Sequence, residues 1–224
     1  MIRLYHGSTR IIERPEYGAG NTHNDYGLGF YCTEDPEMAK EWACTDDRSG
    51  FANCYSMNVE GLSLLNLNGG KYHILNWLAI LLDNRLFDIQ DGLPSRAKQY
   101  VLDRFLPEYQ SFDIIKGYRA DDSYFTFSKD FLNGTISLEQ LSVAMHLGKL
   151  GEQIVLKSPE AFNSISFVNA IRADRDSYYP KRMARDRKAR ETYRKQRGEA
   201  KAEEGIFIID IIRQGWDNDD VRLR

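Results

Sequence analysis

Leu4-Tyr5-His6-Gly7-Ser8 and Gly27-Leu28-Gly29-Phe30-Tyr31 are the two segments of this chain that decide its fold. The alternation from Ile2 onward predicts a short strand that ends at His6-Gly7-Ser8. In the second segment two glycines bracket a turn, and a second short strand is expected to begin at Phe30. The stretch between them, rich in Gly, Asn and Asp, is typical of a loop. The two strands therefore bring a histidine and a tyrosine to positions beside loops, where ligands bind most often.

The composition is that of a soluble globular protein. The chain has 224 residues, of which 42% are hydrophobic and 28% charged, and its net charge is −3, which is too small to indicate a partner by itself. The longest apolar run, 77–82, is far too short to span a membrane, and the N-terminus lacks the apolar stretch of a signal peptide. We therefore expect no membrane association and a cytoplasmic location, or export as an effector without a cleaved signal peptide.

The cysteine pattern gives no sign of disulfides or of a metal. Cys32, Cys44 and Cys54 form no CxxC pair and no even framework, which is typical of free thiols in a reducing cytoplasm. A zinc site would need a fourth ligand, and no His or Cys spacing supplies one. We therefore predict that no metal is needed.

Hydrophobic periodicity predicts helices and strands in alternation along the rest of the chain, and so an α+β fold. Helices are expected at 36–45, 72–86, 94–106 and 137–147, with strand material within 51–68 and strands at 112–115, 152–158 and 164–168. Thr33 or Asp35 can cap the first helix. The stretch 117–124 is expected to be a loop.

The composition changes after residue 170. Between Arg172 and Arg197 stand eleven basic and four acidic residues, a net charge of +7. This pattern predicts a long exposed helix. Three interpretations stay open: a solvated surface, contact with a nucleic-acid backbone, or binding of an acidic protein partner. The apolar run 205–213 that follows fits a strand or a short amphipathic helix. We divide the chain into a domain at 1–170 and a basic helical extension with an apolar C-terminal segment at 171–224.

Several residues have the chemistry for binding a nucleotide. An imidazole at His6 can donate to a ribose hydroxyl, and Gly7 lets its backbone approach a carboxamide closely. Tyr31 and Trp42 can hold a planar pyridinium between them, although core packing explains both equally well. Glu152, at the start of a strand, can stabilise a sugar cation or be a solvated acid beside a turn.

Four neighbouring residues extend this set. Arg119 suits a pyrophosphate. Asp121 or Asp122 can orient an acceptor nucleophile or contact a ribose, or both can be solvated turn residues. Gln153 follows Glu152, and a shift of one residue in strand register would turn the glutamine toward the ribose instead.

These segments resemble the NAD+-binding motifs of the diphtheria-toxin-like and poly(ADP-ribose)-polymerase-like ADP-ribosyltransferases. Leu4 to Ser8 resembles the first motif, Gly27 to Tyr31 the second, and Glu152-Gln153-Ile154-Val155-Leu156 the third. Trp42 falls eleven residues after Tyr31, where those families place a second stacking aromatic. Over residues 2–168 the chain looks like DUF3990, a bacterial family of ADP-ribosyltransferase-like domains.

The resemblance implies a split, mixed pair of β-sheets around an NAD+ cleft, with inserted helices, in a catalytic domain at 1–170. It implies transfer of a single ADP-ribose from NAD+ to a macromolecule, with protein favoured over nucleic acid. It also implies a bacterial toxin or effector that an antitoxin or inhibitor protein restrains. Two alternatives stay open, an NAD+ glycohydrolase and a non-catalytic binding module of the same fold.

Residue roles follow from the same resemblance. His6 would bind the adenosine ribose, and the backbone of Gly7 the nicotinamide carboxamide. Tyr31 and Trp42 would sandwich the nicotinamide, while Glu152 would stabilise the oxocarbenium ion. The implied NAD+-binding set is His6, Gly7, Ser8, Tyr31, Trp42 and Arg119, and the implied catalytic set is Glu152, His6 and Tyr31.

Two departures from these families bear on affinity and on the acceptor. Ala39 stands where the polymerase-like enzymes often have a serine that helps to hold the carboxamide, so the affinity for NAD+ is expected to be lower. Leu150 stands where the arginine-modifying toxins usually have an acid, so arginine is not favoured as the acceptor.

Overall fold

Two β-sheets that meet near His6 organise the fold. The structure is a computed structural model that describes residues 1–120, 122–145, 151–199 and 205–223. The strands are β1 (Ile2–Ser8), β2 (Phe30–Cys32), β3 (Gly50–Met57), β4 (Leu64–Asn66), β5 (Ile114–Tyr118), β6 (Glu152–Leu156) and β7 (Ile165–Ala173). One sheet has the order β1-β3-β7 and the other β2-β6-β5-β4. The predicted α+β class with two sheets is confirmed.

Strand pairing is antiparallel except between β4 and β5, which are parallel. The two sheets are joined where Tyr5 and Thr33 exchange both backbone hydrogen bonds, with N···O distances of 2.8 and 2.9 Å. This bridge sets His6 of β1 beside Tyr31 of β2. It therefore brings the two segments that open the chain into contact.

Helices pack against both sheets. They are α1 (Pro36–Ala43), α2 (Ile74–Asn84), α3 (Leu93–Phe105), α4 (Asp122–Leu132), α5 (Leu138–Met145), α6 (Pro159–Asn163), α7 (Arg175–Glu199) and α8 (Ile208–Gln214). Asp35 caps α1, since its carboxylate accepts from the backbone N–H groups of Glu37 and Met38 at 2.8 and 3.3 Å. Within the described residues, no helix is both long and apolar enough to cross a membrane.

The core has two main parts, on opposite faces of the four-stranded sheet. Phe30, Ile154 and Leu156 pack with residues of β1 and β3 in the layer between the sheets. On the other face, Val155 joins a larger cluster made mainly by α2, α3, α4, α5 and α8. Because successive side chains of a strand point to opposite faces, this division fixes the orientation of every residue in β6.

Most predicted elements are confirmed, and two expectations are corrected. The expected loop at 117–124 is wrong in part, because β5 runs to Tyr118 and α4 begins at Asp122. The apolar run 205–213 forms the helix α8, and Gly215 ends it in the left-handed conformation with φ of 67°. The strand expected at 112–115 begins at Ile114 instead.

The C-terminal part of the chain is packed against the rest. The expected boundary at 170 falls inside β7, which pairs with β3 as far as Ala173. The basic helix α7 is held to α1 by Arg185, whose guanidinium donates to the buried Glu41 carboxylate at 2.8 and 3.0 Å. Ile208 and Ile211 of α8 are buried in the same cluster as α2.

Candidate functional site

A cavity of about 720 Å³ opens where the two sheets meet, within the roughly 300–1,000 Å³ that small-molecule sites occupy. The structure brings six of the expected site residues to its wall, from four strands or strand ends and one helix. They are His6, Gly7, Tyr31, Trp42, Arg119 and Gln153. The segment 10–20 forms another wall, with charged side chains of both signs: Arg10, Glu13, Arg14 and Glu16.

The imidazole of His6 is fixed in orientation and in tautomer. Its Nδ1 lies 2.7 Å from the backbone oxygen of Tyr31, and because a carbonyl only accepts, Nδ1 carries the proton. The ring stacks on Phe30 with centroids 4.3 Å apart, and its burial lowers the pKa of His6 below the ordinary value of 6.5. The neutral ring therefore leaves Nε2 as an acceptor, whereas the sequence interpretation had the imidazole as a donor to a ribose hydroxyl.

Gly7 is required by the packing of β1 against α1. A Cβ added at this position would lie 2.2 Å from the backbone oxygen of Ala39 and 2.8 Å from Cβ of Trp42. The absence of a side chain therefore lets the helix that carries Trp42 approach the strand that carries His6. This contact sets the spacing between two walls of the cavity.

Tyr31 is anchored at its hydroxyl, which leaves its ring as the part that faces the cavity. The hydroxyl donates to the backbone oxygen of Gly27 at 2.6 Å and accepts from the N–H of Tyr26 at 3.0 Å. Burial raises the pKa of Tyr31 far above its ordinary value of 10.0, so the phenol stays neutral. Its role in a site is consequently stacking and shape rather than proton transfer.

Trp42 presents an aromatic face to the cavity, and a cation lies on that face. The guanidinium carbon of Arg119 is 4.3 Å from the centre of the ring, within cation–π range. The indole N–H of Trp42 is buried and finds no acceptor among the described residues. Because an unsatisfied buried donor costs about 1–3 kcal/mol, such a group calls for an explanation, and an incomplete ligand site is one.

Glu152 lies outside the cavity. Its carboxylate pairs with the ammonium of Lys116 at 2.8 Å, and Asn68 donates to its other oxygen. The side chain is 42% exposed, and the hydrogen bond to Glu152 raises the pKa of Lys116. Alternation along β6 puts Glu152 on the face opposite to Val155, so its position gives no support to the expected catalytic role.

Gln153, and not Glu152, faces the cavity, and its side chain is held by a buried carboxylate. Its Nε2 donates to Oδ2 of Asp25 at 2.9 Å, and both residues are almost fully buried. Arg85 donates to Oδ1 of the same carboxylate at 2.7 and 2.9 Å, and the backbone N–H of Ala120 donates to Oδ2 at 2.9 Å. Because Asp25 only accepts, the amide of Gln153 must turn its N–H₂ inward, which leaves its carbonyl oxygen to face a ligand.

Asp25 and Arg85 were missed by sequence reasoning. Sixty residues separate them, and no motif spacing links an aspartate in a loop to an arginine at the end of a helix. The one available signal is that Asp25 stands two residues before the Gly27 segment. Their pairing depends on tertiary structure alone.

Two polar side chains, the buried Asn53 and the half-buried Lys157, hold the loops of the cavity wall. The amide of Asn53 donates to the backbone oxygens of His6 and Arg10 and accepts from the N–H of Ile12 at 3.0 Å. Lys157 donates from Nζ to the backbone oxygens of Tyr26 and Leu28, and burial lowers its pKa to about 8. The walls are therefore tied to β3 and to the end of β6.

Of the remaining expected site residues, one lies outside the cavity lining and the side chains of two are not described. Ser8 is half-buried and is not part of the cavity lining; its hydroxyl accepts from the N–H of Arg10 at 3.3 Å. Asp121 lies outside the described residues, and Asp122 is described only as the first residue of α4. Among the residues that are described, no group of three or more His, Cys, Asp and Glu side chains is placed to hold a metal ion.

Comparison with known families places the chain in one of them. A family model described as a protein of unknown function, DUF3990, matches residues 2–167. The chain belongs to this family. No curated protein and no solved structure matches the chain.

The matched segment contains the whole cavity of this DUF3990 protein. Its wall combines the aromatic faces of Tyr31 and Trp42 with the neutral imidazole of His6, which can accept a hydrogen bond. It also contains the amide of Gln153, which the buried carboxylate of Asp25 holds in place. Several arginines complete the lining. These groups suit a ligand that has a flat ring, sugar hydroxyls and negatively charged phosphates.

Proposed function

We propose that this DUF3990 protein binds NAD+ in the cavity and transfers ADP-ribose from it to a macromolecule, and that its two-sheet core is an ADP-ribosyltransferase fold. One observation carries the proposal: His6, Tyr31, Trp42 and Gln153, widely separated in sequence, line the same cavity. His6, Tyr31 and Gln153 come from the three segments that resemble the NAD+-binding motifs, and Trp42 lies eleven residues after the second of them. A turn or a core aromatic would account for each residue singly but not for their meeting at one cavity.

The reaction breaks the bond between C1′ of the ribose and the pyridinium nitrogen. The electron pair of that bond goes to the nitrogen, so neutral nicotinamide leaves. A nucleophile of the acceptor then bonds to C1′ and loses its proton. In between, positive charge develops on the sugar, and the protein must stabilise it in the transition state.

Gln153 takes the position at the ribose in this proposal. Its carbonyl oxygen, aimed by Asp25, accepts from a hydroxyl of the nicotinamide ribose, and its dipole faces the developing charge. An amide carries only partial charge, so it stabilises an oxocarbenium ion less than a carboxylate does. We therefore expect slow turnover. Nε2 of His6 accepts from the adenosine ribose, and the rings of Tyr31 and Trp42 hold the nicotinamide.

The test compares two neighbours on one strand that face opposite ways. The purified protein, Gln153→Ala and Glu152→Ala are incubated with NAD+ labelled in its adenylate part and a bacterial lysate, which is then divided into protein and nucleic-acid fractions. Because removing one stabilising group of this kind costs about a hundred-fold in rate, Gln153→Ala should lose most of the label transfer. Glu152→Ala, which removes a partly exposed ion pair with Lys116 and a hydrogen bond from Asn68 outside the cavity, should stay within about two-fold of wild type.

The opposite pattern, with Glu152→Ala inactive and Gln153→Ala active, would overturn the assignment of Gln153. Label in either fraction identifies the acceptor as protein or nucleic acid. Release of nicotinamide without transferred label would instead indicate a glycohydrolase.

A second candidate function is NAD+ binding without cleavage. The neutral Gln153 favours it, because no carboxylate of β6 faces the cavity in the described structure. Calorimetric binding of NAD+ together with no release of nicotinamide would support this candidate. A toxic effector predicts in addition that cells tolerate expression of Gln153→Ala better than wild type, and equal toxicity would count against a toxic activity at this site.

A further inference from the structure

The outward face of the helix α7 concentrates the positive charge of the protein. Five exposed cations lie on it, and we call them the basic face: Lys181, Arg187, Lys188, Arg194 and Lys195. From the first to the last of them the helix rises about 21 Å, at about 1.5 Å per residue. The segment 172–197 has a net charge of +7, so the rest of the chain carries −10. A polyanion that approaches the protein is therefore steered to α7 rather than to the rest of the surface.

The opposite side of α7 holds the helix against the protein. Ala189 and Tyr193 are buried, and the hydroxyl of Tyr193 donates to the carboxylate of Asp130 at 2.6 Å. The ion pair between Arg185 and Glu41 fixes the helix to α1. Because these contacts use inward-facing side chains, they leave the basic face at the surface of an anchored helix.

The cations of the basic face form two rows, because residues seven apart lie almost above one another on a helix. The two arginines form one row and the three lysines form the other. The rows are about 100° apart around the helix axis, and Ala184 and Glu191 lie between them. A duplex has a row of phosphates on either side of each groove, and two rows of cations complement that arrangement.

Three of these cations are not neutralised by the protein itself. In the described part of the chain, the side chains of Arg187, Lys188 and Arg194 form no ion pair and no hydrogen bond. Glu191 is within one turn of all three and is exposed, yet it pairs with none of them. A helix that is merely solvated commonly pairs such charges at positions i and i+4. The cations of the basic face are instead available to a negatively charged partner.

The other side chains of α7 favour a duplex over a protein or a single strand. Protein interfaces have cores rich in aromatic residues and poor in lysine, whereas Met183 is the one large apolar side chain exposed on α7 among those described. Proteins that bind single strands stack the bases on aromatic rings. The three tyrosines of α7 are buried or half-buried, and the hydroxyl of Tyr178 donates to Glu37 at 3.0 Å. They therefore serve packing and not stacking.

We propose that the basic face of α7 is a binding surface for duplex nucleic acid, which it contacts through the phosphates without reading the base sequence. Lysine and arginine contacts to phosphates release counterions, so the affinity must fall steeply with salt. The inference goes beyond the proposed function, because it requires neither NAD+ nor the cavity.

The experiment compares two triple variants of the whole protein that lose the same charge. The test variant is Arg187→Gln with Lys188→Gln and Arg194→Gln. The control replaces three exposed cations outside α7 by glutamine: Lys71, Arg96 and Arg213. Glutamine is a good helix former, and circular dichroism shows that both variants are folded. Fluorescence polarisation measures binding to a labelled DNA duplex of about 20 base pairs, and to an RNA duplex of the same sequence, between about 50 and 200 mM salt.

The test variant should bind the duplex about ten-fold or more weakly than wild type at about 100 mM salt. The slope of log K against log salt should become shallower by about 2–3, since each phosphate contact contributes about 0.9. The control should stay within about two-fold of wild type, and a duplex of scrambled sequence should bind equally well. Binding to either the DNA or the RNA duplex supports the inference and identifies the kind of duplex.

A single substitution tests the same face in the opposite direction. Glu191→Gln removes the acid between the two rows and should tighten duplex binding about two- to three-fold, because a nearby anion repels phosphate by a few tenths of a kcal/mol in water. Glu60→Gln, at an exposed acid outside α7, should leave the affinity unchanged. A damaged fold does not tighten binding, so a gain in Glu191→Gln cannot come from misfolding.

Four results would overturn the inference. They are no binding of either duplex by wild type at about 50 mM salt, equal weakening in the two triple variants, tighter binding of a single strand than of a duplex, and displacement of the duplex by polyglutamate at an equal concentration of charge. The last of these would assign the basic face to an acidic protein. None of the four concerns NAD+, so the proposed function stands or fails separately.

Discussion

The contact between β1 and α1 at Gly7 gives a sharp test of how the cavity is built. A Cβ added to Gly7 would lie 2.2 Å from the backbone oxygen of Ala39, 2.8 Å from the backbone nitrogen of Ala43 and 2.8 Å from Cβ of Trp42. Two of these three atoms belong to the backbone of a helix, so no side-chain rotation can relieve the clash. In Gly7→Ala, α1 must move away from β1 and carry Trp42 with it.

The size of the effect follows from the kind of atoms that clash. Inserting a methyl group into a packed site typically costs about 1–3 kcal/mol, and we expect about 3 kcal/mol here because the helix backbone must shift. For a chain of this length, each kcal/mol lowers the unfolding midpoint by about 2–4 °C. Gly7→Ala should therefore lower the midpoint by about 6–12 °C.

The assay is thermal unfolding followed by circular dichroism, with Gly70→Ala as the control. No atom lies within 4 Å of a Cβ added at Gly70, and its φ is outside the left-handed region, so the control should change stability by less than about 0.5 kcal/mol. An unchanged midpoint in Gly7→Ala would refute the close approach of α1 to β1. It would also remove the structural basis for placing Trp42 and His6 in one site.

Three further predictions concern buried ionisable side chains. Arg185→Met leaves the carboxylate of Glu41 buried without its cation and should lower the free energy of unfolding. We expect a loss of about 2–3 kcal/mol, below the full cost of a buried pair, because Arg185 itself is partly exposed. Denaturant unfolding that shows no loss would contradict the coupling of α7 to α1. Burial lowers the pKa of His6, so the unfolded state takes up its proton first as the pH falls. The free energy of unfolding should therefore fall as the pH is lowered from about 6.5 to the folded-state pKa of His6. If the free energy of unfolding of His6→Gln fell by the same amount between pH 7.5 and 5, the fall could not be assigned to His6. Asp25→Asn removes the anion that holds Arg85 and should cost about 2–4 kcal/mol and weaken NAD+ binding; calorimetry that shows unaltered affinity would exclude Asp25 from the site.

The local parts of the fold could be predicted from local patterns. The alternation of β1, the apolar stripe of α2 and the cap at Asp35 each depend on residues a few positions apart, and all are found in the structure. The basic composition of 172–197 likewise predicts a helix, and α7 covers Arg175–Glu199. Each of these signals depends on residues that are close in sequence. Tertiary contacts therefore do not change the secondary structure that the local pattern predicts.

The remaining features depend on contacts that no local pattern contains. The choice between Glu152 and Gln153 is a matter of strand face, which is fixed by how β6 pairs with β2 and β5. The start of α4 closely follows a predicted strand and is rich in aromatic and hydroxyl side chains, which favour helix weakly, so no local pattern predicts the helix found there. The apolar run of α8 contains several isoleucines, whose branching suits strand as well as helix.

The order in which the strands pair has a consequence for synthesis on the ribosome. β3 is the middle strand of its sheet, and its partners are β1, which precedes it, and β7, which emerges more than a hundred residues later. Until then one edge of β3 lacks its native partner, and such an edge is prone to pair with other chains. The strand that carries Gln153 is also late, more than a hundred residues after Tyr31, so the cavity lacks this wall until well after the strands of His6 and Tyr31 have been synthesised.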